Sequence, residues 1–184
     1  MYDFVIVGAG SAGCVLANRL TASGRFRVCL LEAGGSDKHP FVYVPQATLT
    51  LMFLKKFNWL YGSEPEHSQQ NRKIFCPRGR TLGGSSSVNG MVYIRGHATD
   101  YDRWEEEGAK GWSFKDVLPY FKRSQHQERG ESDFHGVDGP LNVSDSYKVV
   151  SFNENFIQAA KETGFPLTDD FNGDQQEGVG YYQF

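Results

Sequence analysis

The sequence predicts an α/β fold that opens on a parallel strand–helix–strand unit. The first observation is a short apolar run at 2–7, rich in β-branched and aromatic residues and ended by a glycine. The second is a pattern of helical spacing at 14–20, and the third is another apolar run at 27–31. Short apolar runs without polar alternation are typical of strands buried on both faces of a parallel sheet. We expect such burial for 2–7.

Three glycines, Gly8, Gly10 and Gly13, spell G-x-G-x-x-G between the first strand and the helix. The first glycine permits a tight turn, the second lets the backbone approach a pyrophosphate, and the third lets the helix pack close to the strand. The free N–H groups at the start of the helix, and the positive end of its dipole, would face the phosphates. The loop therefore predicts a nucleotide cofactor.

Glu32 ends the second strand, 24 residues after Gly8 and 19 after Gly13. An acid roughly 20 residues beyond the loop binds a ribose hydroxyl in such folds. The carboxylate would repel a 2′-phosphate, which argues against a cofactor that carries one. The alternative is an ordinary glycine turn in an α/β unit. The motif does not separate NAD from FAD, because both contain adenosine diphosphate.

Composition indicates a soluble globular chain with a core. Its 184 residues are 39% hydrophobic and 22% charged, which is typical of a folded soluble chain. Its formal net charge is −3, so no electrostatic argument favours a nucleic-acid partner. The three cysteines and five histidines lack metal-ligand spacing, and we expect no metal site. The chain starts directly on a strand without the pattern of a secretory signal, from which we expect a cytoplasmic protein.

The most apolar stretch is 40–62, which is interrupted by Pro45, Gln46 and two lysines. No run reaches the roughly 18 apolar residues that a membrane span requires. We expect this stretch to form core or to cover the cofactor. The alternative is a peripheral membrane contact by Leu51 to Phe57 on the cytoplasmic side.

A second glycine-rich segment, PRGRTLGGSSSVNGMVYIRGHATDYDRW, occupies 77–104. Gly83 and Gly84 would let the backbone pass close to a bulky group. Three consecutive serines offer hydroxyl and N–H groups, and Asn89 can orient a loop through its amide. Met91 to Ile94 then predicts another strand. A second contact loop, far from the first in sequence, suits a long ligand with two ends.

At these residues the chain resembles a family, the glucose–methanol–choline (GMC) flavin oxidoreductases. The run GRTLGGSSSVN at 79–89 matches the first signature of that family position by position. The tract FNWLYGSEPE at 57–66 and the later segments DVLPYFKRSQ, HGVDGPLNVS and DFNGDQQEGVGYYQ are similar to the members that oxidise choline or aliphatic alcohols. The resemblance covers essentially the whole chain.

The resemblance implies FAD, with its ADP half on the first glycine loop and Glu32 and its flavin half along the second loop. Some members attach the flavin covalently through a histidine just before the asparagine. Val88 occupies that position here, so the resemblance implies non-covalent FAD. The implied cofactor contacts are Gly8, Gly10, Ser11, Ala12, Gly13, Glu32, Ala33, Arg80, Thr81, Gly83, Gly84, Ser85, Asn89, Gly90, Met91 and Val92.

The resemblance also implies a Rossmann-like FAD-binding domain over 1–145, with 40–75 covering the cofactor. Residues 146–184 would begin an α+β substrate-binding region. Capping boxes of the form S-x-x-[DE] at Ser113 and Ser151 predict two helices, and 141–144 predicts a short strand. The chain ends on GVGYYQF, in what resembles mid-domain. We therefore expect the N-terminal part of a longer polypeptide.

The family's catalytic histidine lies near the far C-terminus, so the resemblance places no catalytic residue in this chain. It implies that the parent enzyme oxidises a primary alcohol by hydride transfer to flavin N5, with a quinone or another electron acceptor. We expect the isolated chain to be inactive. Three alternatives stay open: an NAD-dependent dehydrogenase, a lyase or oxidase of the same family with another substrate, and a non-catalytic truncated product.

Overall fold

The computed structural model describes residues 1–146 and 148–184. The chain forms two compact units, Met1–Met91 and Val92–Phe184. The boundary expected at residue 145 separates a cofactor-binding part from a substrate-binding part. That functional division stays a prediction.

The first unit opens on β1 (Phe4–Val7), α1 (Ser11–Thr21) and β2 (Val28–Leu31). The two strands pair in parallel, in register from Phe4 opposite Val28 to Val7 opposite Leu31. Helix α1 packs against both strands. The predicted α/β fold with a parallel strand–helix–strand unit is thus confirmed.

The expectation that the first strand is buried on both faces is wrong for this chain. The side chains of Val5 and Val7 are 59% and 84% exposed. Strands β1 and β2 form a sheet of two strands. A parallel sheet buries both faces only where helices cover both of them, and α1 is the helix that packs on this pair.

The middle of the first unit contains the apolar segment and its core. Leu51 and Phe57, 1% and 2% exposed, form a buried cluster with Val88. Part of the segment is therefore core, as expected. Leu51 and Phe57 cannot belong to a membrane contact, because both side chains are inside the protein. The elements of this region are α2 (Pro40–Tyr43), α3 (Thr48–Phe53) and the antiparallel pair β3 (Tyr61–Gly62) and β4 (Phe75–Cys76).

The described part of the second unit has three α-helices and one pair of short strands. Helix α4 begins at a capping box: the His97 ring accepts the Thr99 N–H, and the Asp100 carboxylate accepts the His97 N–H. Helix α5 has the predicted N-cap, Ser113, but its hydroxyl bonds the Asp116 carboxylate at 2.5 Å instead of a backbone N–H. The elements are α4 (Ala98–Glu106), α5 (Phe114–Ser124), β5 (Gln125–Gln127), β6 (Leu141–Val143) and α6 (Ser151–Glu162), with β5 and β6 parallel.

Two local predictions in and beside the second unit are wrong. Residues 91–94 do not form a strand, because Tyr93 meets Gln183 only in an isolated bridge and Met91 has a positive φ of 62°. Helix α6 begins at Ser151, but Val150 is its N-cap and no side chain caps it. Residues 91–94 lack the hydrogen-bonded partner that a strand needs along its length. Ser151 is the first residue of the helix, whereas an N-cap residue stands just before it.

A polar network joins several loops of the second unit. The ring of His135 lies 2.6 Å from the Asp170 carboxylate, and the Arg129 guanidinium donates to Asp145 at 2.9 Å. The Arg129 hydrogen bond lowers the pKa of Asp145. Burial raises the pKa of Asp170, but hydrogen bonds from His135 and the Asn172 N–H outweigh it, so that this pKa is also lowered. Both carboxyl groups are therefore held in the charged form.

Candidate functional site

The G-x-G-x-x-G loop has the backbone that its sequence predicts. Gly8 adopts a φ of +95°, which favours glycine. A Cβ on Gly13 would lie 1.9 Å from the Gly8 carbonyl oxygen, so α1 approaches the loop more closely than any other residue would allow. Gly10 is the N-cap of α1, and no side chain among the described residues caps the helix. The first N–H groups of the helix can therefore receive a ligand.

The second glycine loop lies directly against the first. A Cβ on Gly84 would come within 2.9 Å of the Gly10 Cα. The Gly83 N–H donates to the Ala9 carbonyl at 2.7 Å. Gly83 and Gly84 have φ values of +83° and +57°. Gly10 and Gly84, which lie 74 residues apart in sequence, thus bring the two loops into one backbone cradle in the first unit.

Glu32 stands where β2 ends and faces the first loop. Its Oε2 accepts the Ala9 N–H at 2.8 Å, and its Oε1 accepts the Gly34 N–H at 2.7 Å. A carboxylate oxygen has two acceptor positions, so one position on each oxygen is still open. The side chain therefore holds the loop in place and can also accept a ribose hydroxyl.

These parts enclose a cleft of about 730 Å³. It is open to solvent, and residues of both glycine loops line it. The residues that sequence analysis predicted and that line it are Gly8, Gly10, Ser11, Glu32, Ala33, Gly84 and Ser85.

Two aromatic residues that sequence analysis did not assign to the cofactor also line this cleft. Trp59 and Tyr61 stack with ring centres 5.8 Å apart and planes 5° from parallel. The Arg80 guanidinium lies 4.9 Å above the Trp59 ring. The tract FNWLYG contains both rings, but Leu60 between them has a φ of +55°, so the alternation of a regular strand does not predict this wall.

A smaller cavity of about 270 Å³ adjoins Arg78, Gly79 and Ser85, residues that it shares with the main cleft. Asn89 and Gly90 line it, as do α3 residues. The Asn89 side-chain oxygen accepts the Met91 N–H at 2.9 Å, so this amide orients its loop as predicted.

The other predicted contacts lie outside the walls of the cleft. Ala12 and Gly13 are in α1, and Thr81 is fully buried with its hydroxyl on the Gly35 carbonyl. The Arg80 guanidinium lies over the Trp59 ring, and its Nε is buried without a hydrogen-bond partner among the described residues. Gly83 and Met91 shape the second loop, and Val92 belongs to the second unit.

The residues present fit a dinucleotide cofactor. The cradle of glycines admits a pyrophosphate close to the backbone, the free N–H groups of α1 suit its charge, and Glu32 suits a ribose. Asn58, which lines the smaller cavity and is 1% exposed, has a side-chain N–H₂ without a partner among the described residues. Such buried donors are uncommon unless a ligand or water meets them.

Comparison with known proteins gives one family. The GMC oxidoreductase family model matches residues 2–184. A protein described as oxygen-dependent choline dehydrogenase from Rhizobium etli (strain CIAT 652) is 53% identical over 178 residues, and one from Photobacterium profundum is 51% identical over 181. Each alignment covers 97% of this chain and 32% of the relative. The chain thus spans about a third of the length of these curated relatives.

Solved structures show the same fold. Pyridoxine 4-oxidase from Mesorbium loti matches 100% of this chain and 36% of its own, with a TM-score of 0.89 and 33% identity. An FAD-dependent oxidoreductase from Chaetomium thermophilum matches 100% of this chain and 33% of its own, with a TM-score of 0.82 and 30% identity. The resemblance on which the sequence analysis relied is therefore confirmed.

Proposed function

Because the chain belongs to the GMC oxidoreductase family, we propose that it forms the FAD-binding part of an enzyme that oxidises a primary alcohol to the aldehyde. The observation that carries the proposal is the single cleft where the G-x-G-x-x-G loop, Glu32 and the second glycine loop meet. The whole protein, here meaning the natural polypeptide that contains these 184 residues, would be the enzyme.

The ADP half of the cofactor is assigned to the first loop and its surroundings. The free N–H groups of α1 and the close backbone at Gly10 would receive the pyrophosphate. Glu32 would accept a hydroxyl of the adenosine ribose on its open acceptor positions. The Glu32 carboxylate would repel a 2′-phosphate, which suits a cofactor without one.

The flavin half is assigned to the second loop, from Gly84 and Ser85 to Asn89 and Val92. We propose that this FAD is held without a covalent bond. Val88, at the position of the linking histidine in some relatives, has no nucleophilic atom and is buried against Leu51 and Phe57. Its side chain serves the core.

In this proposal the flavin, when bound, supplies the hydride acceptor. The residues of this chain bind and orient it and exclude water from one side. We assign the base that takes the hydroxyl proton to no residue of this chain. His97 caps α4, and His135 lies in hydrogen-bonding distance of Asp170 and Gln125, so both have other partners.

The substrate that we propose is choline or an aliphatic primary alcohol, with a quinone or another electron acceptor. The choline dehydrogenase description of the relatives at 51–53% identity supports choline. Pyridoxine 4-oxidase and formate oxidase, at 33% and 30% identity, show that the fold serves other substrates. The sequence of this third of the enzyme favours choline over those two.

The function can be tested by adding alcohols to the purified whole protein under anaerobic conditions. We expect a yellow protein whose flavin absorbance bleaches when choline or one of a series of primary alcohols is added. A colourless protein that binds NAD would contradict the cofactor. A yellow protein that no alcohol bleaches would instead favour the lyase or non-catalytic alternative.

Acid precipitation tests the mode of attachment. Because Val88 cannot form the link, we expect the yellow colour of the denatured whole protein in the supernatant. Colour that stays in the pellet would reveal a covalent bond through another residue. Measuring the mass of the denatured polypeptide gives an independent check, since an attached FAD adds its own mass.

Cytoplasmic placement with a peripheral membrane contact also belongs to this proposal. Within residues 1–146 and 148–184, no helix combines the length and apolar character needed to cross a bilayer. Any membrane contact by this part of the chain would therefore be at the surface.

A further inference from the structure

One exposed surface of the first unit combines large apolar side chains with lysines. Leu49 and Phe53 on α3 are 70% and 66% exposed, and Leu54 and Phe75 are 36% and 41% exposed. The rings of Phe53 and Phe75 stack with centres 5.4 Å apart and planes 8° from parallel. This contact joins the end of α3 to β4 in one surface, which we call the α3 patch: Leu49, Phe53, Leu54 and Phe75.

The core does not account for the α3 patch. Leu51, on the opposite side of the same short helix, is 1% exposed and packs against Phe57 and Val88. Helix α3 therefore buries one apolar side and presents a second one to solvent. A contiguous exposed apolar surface often marks a site that binds a protein, a ligand or a membrane.

Lysines flank the α3 patch. Lys55 and Lys56 follow Phe53 and Leu54, and Lys73 lies two residues before Phe75, on the same side of an extended chain. All three are exposed, and none has a carboxylate within 4 Å among the described residues. Residues 38–73 contain five basic and two acidic side chains, although the whole chain carries −3. Lys55 and Lys73 thus put positive charge beside the α3 patch in the chain.

Other exposed apolar surfaces lack this charge. Trp104, 47% exposed on α4, lies in the stretch 100–107, which has five acidic residues and one arginine. Phe152 and Phe156, 75% and 63% exposed on α6, share their helix with two glutamates and one lysine. The α3 patch is therefore distinguished by its lysines and not by exposure alone.

From this combination we infer that the α3 patch binds the surface of a membrane that contains anionic phospholipids. Leu49 and Phe53 would enter the boundary between headgroups and acyl chains, and Lys55 and Lys73 would meet the lipid phosphates. Interfacial binding of this type needs buried apolar area together with electrostatic attraction. Lysine stems reach a phosphate layer while the neighbouring apolar side chains go deeper.

The inference rests on the proposed peripheral membrane contact, for which it names the side chains and the lipid class. It does not depend on alcohol oxidation. FAD content and bleaching by alcohol, measured on the same samples, separate a failure of the enzyme proposal from a failure of this one.

The test is sedimentation of the whole protein with vesicles of phosphatidylcholine alone or with about a third phosphatidylglycerol. We expect binding to the anionic vesicles only, and weaker binding as salt rises. Leu49→Ser with Phe53→Ser should abolish it. Lys55→Gln and Lys73→Gln should each weaken it about fivefold. Phe152→Ser is the matched control and should bind like the parent protein.

Three results would overturn the inference. The whole protein could stay in the supernatant with anionic vesicles, or Phe152→Ser could lose binding as much as the patch variants do. Alternatively, another part of the whole protein could cover the patch. Leu49→Ser would then lower the melting temperature without lipid and leave vesicle binding unchanged. Phe53 stacks on Phe75, whereas Leu49 is 70% exposed. Leu49→Ser therefore separates binding from folding even if Phe53→Ser does not fold.

Discussion

Both oxygens of the Glu32 carboxylate accept a backbone N–H, one from Ala9 in the first glycine loop and one from Gly34 just after β2. Ala9 is fully buried, and a buried N–H without an acceptor is costly. The carboxylate therefore shapes the cleft before any cofactor is present. Its open acceptor positions give it a second use, the ribose of the cofactor.

We expect Glu32→Ala in the whole protein to weaken FAD binding by about 1.5–3 kcal/mol, the scale of a hydrogen bond to a charged group. Titration of the apoprotein with FAD measures this change. Glu64→Ala, which removes an exposed carboxylate outside the cleft, is the matched control and should leave FAD affinity unchanged. Equal affinities for the two variants would remove Glu32 from the ribose site.

At the scale of elements, the closeness of α1 to β1 depends on a single position. Gly13 is the only buried residue of α1, and Gly8 and Ile6 are its nearest neighbours across the turn. The first turn of the helix can therefore lie directly over the loop that would hold the pyrophosphate. A larger side chain at this position would move the helix away from the strand and open the cradle.

Gly13→Val tests this packing. Since even a Cβ would meet the Gly8 carbonyl oxygen at 1.9 Å, we expect little soluble yellow protein on expression of the whole polypeptide. Gly35→Ala is the control, because nothing lies within 4 Å of a Cβ at that position. A Gly13→Val protein that purifies with normal FAD content and melting temperature would show that the helix can give way without cost.

The loops of the second unit are joined by ionised side chains, so their stability depends on pH. The pKa values of Asp145 and Asp170 are lowered in the folded chain. A carboxyl group with a depressed pKa stabilises the fold above its unfolded pKa, near 3.9, and loses this contribution as pH falls through its folded value.

We therefore expect the free energy of unfolding to decrease below about pH 4, measured by urea denaturation of the whole protein between pH 3 and 7. Asp170→Asn should be less stable at neutral pH and should show a smaller decrease in acid. Asp138→Asn, a substitution at a carboxyl group outside this network, should follow the parent curve. Identical slopes for the parent and Asp170→Asn would contradict the role of the His135–Asp170 contact.

At the scale of the molecule, the described chain has a cofactor cleft in its first unit and no assigned catalytic base in either unit. Alcohol oxidation needs a base within hydrogen-bond reach of the hydroxyl. His97 and His135 are hydrogen-bonded to Thr99 and Asp170 respectively. Large apolar side chains such as Val7 and Phe53 are exposed, so the isolated chain has extensive apolar surface.

We expect purified residues 1–184 to oxidise no primary alcohol, even with added FAD and an artificial electron acceptor, and to aggregate at moderate concentration. Acceptor reduction and light scattering measure the two effects. The whole protein, assayed in parallel, is the positive control. Turnover by residues 1–184 that His97→Ala abolishes would place the base at His97 and contradict this expectation.

The sequence by itself determined the features that depend on neighbouring residues. The G-x-G-x-x-G loop, the strand and helix that flank it, and Glu32 at the end of β2 all agree with the structure. Periodicity and turn chemistry act over a few residues, and for this reason they could be predicted. The family resemblance, carried by 79–89, rests on a contiguous motif and was confirmed by the family match.

Only the tertiary structure decided which distant residues meet. It brought Gly84 onto Gly10 and set Trp59 and Tyr61 in the cleft beside Glu32. It also left 91–94 without a strand partner and the outer sides of β1 exposed. Contacts between segments far apart in sequence depend on how whole elements pack, and burial depends on what covers each face. Neither quantity is present in the local pattern of a single chain.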